Sequence, residues 1–270
     1  MSAKEGHKFN MRVVITGAAG SIGTQLIEEL STSHDLFLLD RRAGSNHRIR
    51  CADFSRVAPR RGLTRYLWFR RFHWANAFEN ADVVVHLAAE ASPGAPWRKI
   101  LRDNIQGTWN VIQTAAQHRV RRVVFASSNW AVKALEQKLA PDCYRPDGPK
   151  MDSMTPPSPL TAYGLSKAFG ELAGRMFVEQ GNLETFVAVR IGNYQPKPSS
   201  DEIVRARWIG VQDIRAVFQR CVEADLKGFH VVYGVSAQKA APYDLSQTAK
   251  TLSWFPQQCA DSQELIHGTN

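Results

Sequence analysis

The sequence is poor in features that would tie it to a membrane, an oxidising compartment or a metal. Its four cysteines, Cys51, Cys143, Cys221 and Cys259, stand far apart and form no C-x-x-C pair. That spacing argues against a disulfide framework or a thiolate metal site, and it suits free thiols in a reduced, cytoplasmic protein. No stretch approaches the ~18 consecutive apolar residues needed to span a bilayer. The segment from Met1 to Asn10 is polar and lacks an apolar leader. Met11 reads as an alternative start, with residues 1–10 as a loose tail. No internal repeat is present. Acidic residues are outnumbered, leaving a formal charge of +9. That excess favours anionic ligands without naming nucleic acid. At 270 residues the chain holds one large domain with a small addition.

What the chain does have is a glycine turn between a strand and a helix. The apolar run Val13-Val14-Ile15 leads into Thr16-Gly17-Ala18-Ala19-Gly20-Ser21-Ile22-Gly23, and a helical pattern follows from Thr24 to Leu30. Gly17 can take backbone angles that a side chain forbids. Gly20 lets the backbone approach a pyrophosphate, and Gly23 lets the helix pack closely on the strand. The unpaired N–H groups at the helix start, around Ser21 and Ile22, would receive the phosphates. The spacing is G-x-x-G-x-x-G rather than the commoner G-x-G-x-x-G. An ordinary glycine turn competes with this reading until the context is added.

The context is a succession of buried strands and helices. Leu36 to Asp40 reads as a second strand, and Asp40 lies roughly 20 residues after the turn, where a ribose-binding carboxylate belongs. Its charge repels a 2′-phosphate and favours NAD over NADP. Arg41 and Arg42 follow, and arginine is what a 2′-phosphate wants. Arg50 to Phe54 reads as a third strand, with Asp53 placed to reach the adenine amino group beside Phe54. Ala81 to Ala89 reads as a fourth, and its small end (Leu87, Ala88, Ala89) admits a flat ligand. His86 lies in an apolar run and reads as buried and satisfied. Glu90 to Pro96 is a loop, and one long helix is expected from Trp97 to Gln117. Arg121 to Ser128 is a fifth strand. The proline-rich Lys133 to Pro159 predicts an irregular loop or flap. Pro159 to Gln180 reads as helix and Thr185 to Ile191 as a sixth strand. Beyond Tyr194 come a helix (213–224), a strand (230–233) and a last helix (245–252).

The segment Ser55 to Phe78 interleaves Arg56, Arg60, Arg61, Arg65, Arg70 and Arg71 with Tyr66, Trp68, Phe69, Phe72 and Trp74. Such a mixture can bind nucleic acid or an anionic membrane. Strand–helix alternation instead favours a surface helix with its aromatics on the sheet.

Tyr163-Gly164-Leu165-Ser166-Lys167 places a phenol and an ammonium four residues apart on one helix face. A neighbouring positive charge favours the phenolate and is expected to lower the tyrosine pKa. Tyr163 can then take a proton from a substrate hydroxyl as hydride leaves the same carbon. Lys167 has donors for a nicotinamide ribose, and Ser128 can orient the substrate oxygen.

The chain resembles the extended branch of the short-chain dehydrogenase/reductase superfamily. The resemblance is carried by T-G-A-A-G-S-I-G, the strand-end aspartate, V-V-V-H-L-A-A, N-I-Q-G-T-W-N-V, F-A-S-S-N, Y-G-L-S-K and V-R-I-G-N. It implies an α/β fold of Rossmann type, a doubly wound parallel sheet over residues 11–193 with a small substrate-side appendage over 194–270. It implies NAD as cofactor, no metal, and a Ser-Tyr-Lys triad falling on Ser128, Tyr163 and Lys167. Asn104 matches an asparagine that supports the lysine, and Ile191 lies on the cofactor side. It implies a homodimer built on two helices per subunit.

Within that branch, P-G-A-P-W-R-K-I-L-R-D-N-I and F-A-S-S-N-W-A-V look like uronate dehydrogenases and archaeal NAD-dependent glucose-6-phosphate dehydrogenases. The resemblance places Ser92, Ser128, Asn129, Trp130, Tyr163, Arg190 and Asn193 around a small sugar. Arg190 would pair with its carboxylate or phosphate. Trp130 stands where these relatives usually carry histidine, and Lys133 where glycine is usual, at the pocket mouth. The expected activity is oxidation of the C1 hydroxyl of a small anionic aldose to a lactone. A sugar-nucleotide epimerase or dehydratase with tightly bound NAD is the alternative. A cofactor-sensing or nucleic-acid-binding protein is a third reading, disfavoured because a sensor does not need Tyr163 and Lys167 at this spacing.

Overall fold

Alternation along the strands divides the apolar residues between two cores. In β1 (Arg12–Thr16), Val13 and Ile15 face one core and Val14 the other. The computed structural model describes residues 10–42, 48–56 and 73–261. After β1 come α1 (Ser21–Leu30), β2 (Asp35–Asp40) and β3 (Arg50–Cys51), the last shorter than the strand expected to Phe54. A 3-10 turn at Trp74–Phe78 leads to β4 (Val83–His86). Residues 57–72, with most of the arginine-rich segment, lie outside the described residues.

The long helix expected from Trp97 is not uniform. It runs as α2 (Trp97–Ile100), a π segment (Leu101–Gln106) and α3 (Gly107–Gln117). Next are β5 (Arg122–Ser128), α4 (Lys133–Leu139), α5 (Ala162–Glu179) and β6 (Thr185–Ile191). The stretch expected as an irregular flap thus begins with a helix. The chain ends with β7 (Asn193–Tyr194), α6 (Glu202–Arg205), β8 (Trp208–Ile209), α7 (Val211–Glu223), β9 (Gly228–Gly234) and α8 (Ser246–Leu252).

Seven parallel strands form one sheet in the order β3-β2-β1-β4-β5-β6-β9. Helices cover both faces. Leu26 and Leu30 of α1 and Ile214, Val217 and Phe218 of α7 pack on one. Val111, Ile112 and Ala115 of α3 and Phe177 of α5 pack on the other. Each large apolar side chain so buried stabilises the fold by about 1.5–3 kcal/mol. The chain reverses its direction of travel across the sheet between β1 and β4, and a crevice opens there beyond the strands' carboxyl ends.

The C-terminal stretch does more than flank the cleft. β9 pairs with β6 from Thr185↔Gly228 to Ile191↔Gly234 and completes the sheet. Buried Arg122 fastens this part, donating to the Cys221 carbonyl at 3.0 Å and to those of Val222 and Ala224 at 2.5 Å. These are the orphan carbonyls at the end of α7, where a cation is favoured. All four cysteines are free thiols. Among the described residues no helix is long and apolar enough to cross a membrane, and no three His, Cys, Asp or Glu side chains gather as a metal site requires.

Candidate active site

The glycine turn sits at the crevice. Gly17 has φ +75°, and a Cβ there would lie 2.7 Å from the Ala88 backbone nitrogen. A Cβ on Gly23 would lie 2.4 Å from the Gly17 carbonyl oxygen, so α1 meets the turn with no room to spare. No side chain caps the start of α1, leaving its first N–H groups to a ligand. Asp40 ends β2 and is buried. Its Oδ2 accepts from Ala19 N at 3.0 Å and its Oδ1 from Arg42 N at 2.8 Å. A carboxylate accepts more than two hydrogen bonds, so Asp40 can brace the turn and still receive a ribose hydroxyl.

Two connected chambers follow the crevice. The first, of about 460 Å³, is lined by Gly17, Gly20, Asp40, Arg41, Arg42, Phe54, Leu87, Ala88, Ala89 and Asp103, among others. The second, of about 470 Å³, is lined by Ser21, Ile22, Gly23, Ser128, Trp130, Tyr163, Lys167, Ile191 and Asn193, among others. Gly17, Gly20, Arg42, Leu87, Ala89 and Ala91 belong to both. An elongated nucleotide with a phosphate bridge fits this plan. In that placement the glycines would clear the backbone, the helix start would meet the phosphates, and Asp40 would stand at the ribose end.

Ser128, Tyr163 and Lys167 converge in the second chamber. Ser128 closes β5, while the other two lie on the first turns of α5, whose start Thr161 caps by accepting from Gly164 N at 3.1 Å. Burial pushes the Tyr163 phenol up, and its hydrogen bond with Ser128 pulls the other way. The lowering expected from Lys167 is not realised. That ammonium donates to the Ala126 carbonyl at 2.7 Å and lies 5.6 Å from the Tyr163 ring centroid. Burial brings the pKa of Lys167 down to about 8. The adjacent serine is set apart: Ser127 Oγ donates to Glu171 Oε1 at 2.5 Å.

Several expected site residues are not on the lining. Arg190 is the main correction. It is fully buried and holds Glu171, Nε to Oε1 at 3.0 Å and Nη2 to Oε2 at 2.8 Å. Its Nη1 donates to the Thr155 carbonyl at 2.9 Å. Burial works against the guanidinium charge, but Glu171 outweighs it and the pKa is raised. The guanidinium is committed to Glu171 and the Thr155 carbonyl inside the protein and is not on the lining of either chamber. Asn129 is also buried. It accepts from Ser128 Oγ at 3.2 Å. Asn104 makes no hydrogen bond to Lys167. Its Oδ1 accepts from Glu90 N at 2.7 Å, and its Nδ2 donates to the Glu90 carbonyl and to Ser166 Oγ, both at 3.0 Å. It therefore holds the loop after β4 to the residue beside Lys167. Asp53 accepts from Ser55 N at 3.1 Å and Ser55 Oγ at 2.7 Å, closing its own turn. Ser92 is exposed, and its neighbours Ala91 and Pro93 line the chamber instead.

Lys133 is not at the pocket mouth. It is buried on Glu136, which also takes Arg207 at 3.1 Å and the phenols of Tyr144 at 2.8 Å and Tyr243 at 2.7 Å. His86 is buried and satisfied, between Thr16 Oγ1 at 2.7 Å and Thr108 Oγ1 at 3.1 Å. Burial brings its pKa down to about 3, so it is neutral. Asp103, Glu171, Ala91, Pro93 and Tyr194 were not singled out from the sequence. The signals that pointed near them were adjacent residues: Asn104 beside Asp103, Ser92 between Ala91 and Pro93, and Asn193 beside Tyr194.

The family described as "NAD dependent epimerase/dehydratase family" matches residues 13–209. The chain belongs to this family. It is 34% identical to the NAD-dependent glucose-6-phosphate dehydrogenase of Haloferax volcanii, covering 91% of this chain and 92% of that protein. It is 30% identical to the L-arabinose 1-dehydrogenase (NAD(P)(+)) of the same organism, over 91% of this chain and 96% of the other. A variant of the uronate dehydrogenase of Agrobacterium tumefaciens, solved in complex with NAD, superposes with a TM-score of 0.74 at 28% identity. That match covers 96% of this chain and 90% of the other.

Proposed function

We propose that the protein oxidises the C1 hydroxyl of a small, anionic aldose, a hexuronate or sugar phosphate, to its lactone with NAD. The observation that carries this reading is the shared floor of the two chambers. It sets Ser128, Tyr163 and Lys167 directly beside the glycine turn. NAD, when bound, supplies the hydride acceptor. Tyr163 takes the proton of the C1 hydroxyl while Ser128 orients that oxygen. Lys167 binds the nicotinamide ribose. The net change is loss of two electrons and two protons from C1 and its hydroxyl, one proton leaving with the hydride and one through Tyr163. Trp130 offers a flat face for the sugar.

The anionic character rests on the relatives named for glucose-6-phosphate and uronate and on the charge of +9, since Arg190 is committed inside. Exposed Trp97, Leu101, Leu165 and Leu172 on the α2–π segment and α5 support a homodimer through these helices. The free thiols suit a cytoplasmic setting.

The test is a panel of aldoses, hexuronates and sugar phosphates with NAD, read as NADH absorbance. Net NADH with a hexuronate or sugar phosphate is expected. Turnover of a nucleotide sugar on retained NAD, with no net NADH, would point to an epimerase or dehydratase instead.

A further inference from the structure

At the adenosine end of the first chamber, Arg41 is already occupied. It directly follows Asp40, where a guanidinium reaches a ribose 2′-phosphate. Its side chain instead grips Asp103, Nη2 to Oδ1 at 2.7 Å and Nη1 to Oδ2 at 3.1 Å. That is one of the two edges by which a guanidinium takes a phosphate, because both anions grip it as a fork. Asp103 is held in turn. Its side chain is 5% exposed, and Arg102 Nε donates to Oδ1 at 2.7 Å. Burial opposes its charge, but the bonds from Arg102 and Arg41 outweigh burial and hold the carboxyl at about 2. The pairing therefore persists at any working pH.

Among the described residues, the other charged groups at this end are paired or turned to solvent. Asp40 repels a phosphate. The Arg42 side chain is 73% exposed, with its Nε 3.9 Å from Asp40. Lys99 is paired with Glu90, and Arg56 lies 3.6 Å from Asp53. Arg41 itself is half-exposed and has room to turn if released.

We propose that Asp103 is a cofactor-specificity residue: by holding Arg41 it denies a 2′-phosphate its partner and so sets the preference for NAD over NADP. The proposal rests on the first chamber being an NAD site. Asp40 supplies the repulsion, and Asp103 withdraws the attraction.

The test uses the purified protein without sugar, titrated separately with NAD and NADP, with Kd read by calorimetry. Asp103→Asn and Asp103→Ala are expected to tighten NADP relative to NAD by roughly tenfold. Adding Arg41→Met to either variant should return the ratio to its starting value. Thermal melting verifies that each variant is folded, and the Asn variant keeps the side-chain volume for that purpose. An unchanged NADP-to-NAD ratio in both Asp103 variants, with NAD still bound, overturns the proposal. Failure of the unaltered protein to bind NAD overturns the reading of the chamber beneath it.

Discussion

Arg190 and Glu171 form a closed, two-pronged ion pair beneath the second chamber, with side chains 1% and 3% exposed. Glu171 lies one turn beyond Lys167 on α5, and Arg190 lies in β6 next to Ile191 of the lining. The pair couples the helix that carries Tyr163 to the sheet that carries Ser128. Glu171→Gln would leave a buried guanidinium without its counter-charge. A loss of about 3–5 kcal/mol is expected, measured by urea unfolding. Unaltered stability would show that the pair is not needed for folding.

Tyr163→Phe removes the proton acceptor and keeps the ring. NADH formation at saturating sugar is expected to fall roughly 10²–10⁴-fold. NAD binding by calorimetry should persist. A retained rate would remove Tyr163 from the chemistry.

His86 makes the fold acid-sensitive. Its pKa is about 3 when folded, against about 6.5 when unfolded. Between those values the unfolded chain binds more protons, so stability rises with pH across that window and is lost as pH falls through it. From pH 7 to pH 5 the cost through this one group is about 2 kcal/mol. His86→Gln, compared with the unaltered protein by melting temperature at both pH values, should show a shallower dependence.

Gly23→Ala places a methyl group 2.4 Å from the Gly17 carbonyl oxygen and 2.7 Å from that of Ala18. Both are backbone atoms and cannot swing aside. The turn or α1 must shift, and NAD affinity is expected to fall roughly tenfold or more. Calorimetry on folded variant is the check, and unchanged affinity would detach the turn from the nucleotide.

The local features of the site were legible in the sequence. The strand, glycine turn and helix were written within one short stretch, and so was the Tyr163–Lys167 spacing. His86 showed its burial through its apolar neighbours. Arg190 was misread because its partner, Glu171, comes from another element. Nothing in either residue's neighbourhood announces the pairing. Lys133 was placed at the pocket mouth by its match to a position where relatives carry glycine, whereas Glu136, one helical turn away, draws the lysine inward. The edge position of β9 depends on which strand it pairs with, and strand pairing is not a property of local pattern.

A π turn carries more residues than the α turn it replaces. Between Leu101 and Gln106 this surplus lets neighbouring side chains serve different masters, Asp103 reaching Arg41 and Asn104 reaching Glu90. Removing a single residue there would let the helix relax to regular winding with its flanks nearly in their present phase, because the wider turn is what takes up the extra residue. The residues of the segment itself would be redistributed around the axis, so Asp103 and Asn104 would not both keep their present directions. In this segment the count of residues, and not only their identity, is under constraint. A one-residue deletion should therefore disturb these two attachments while sparing the helix on either side.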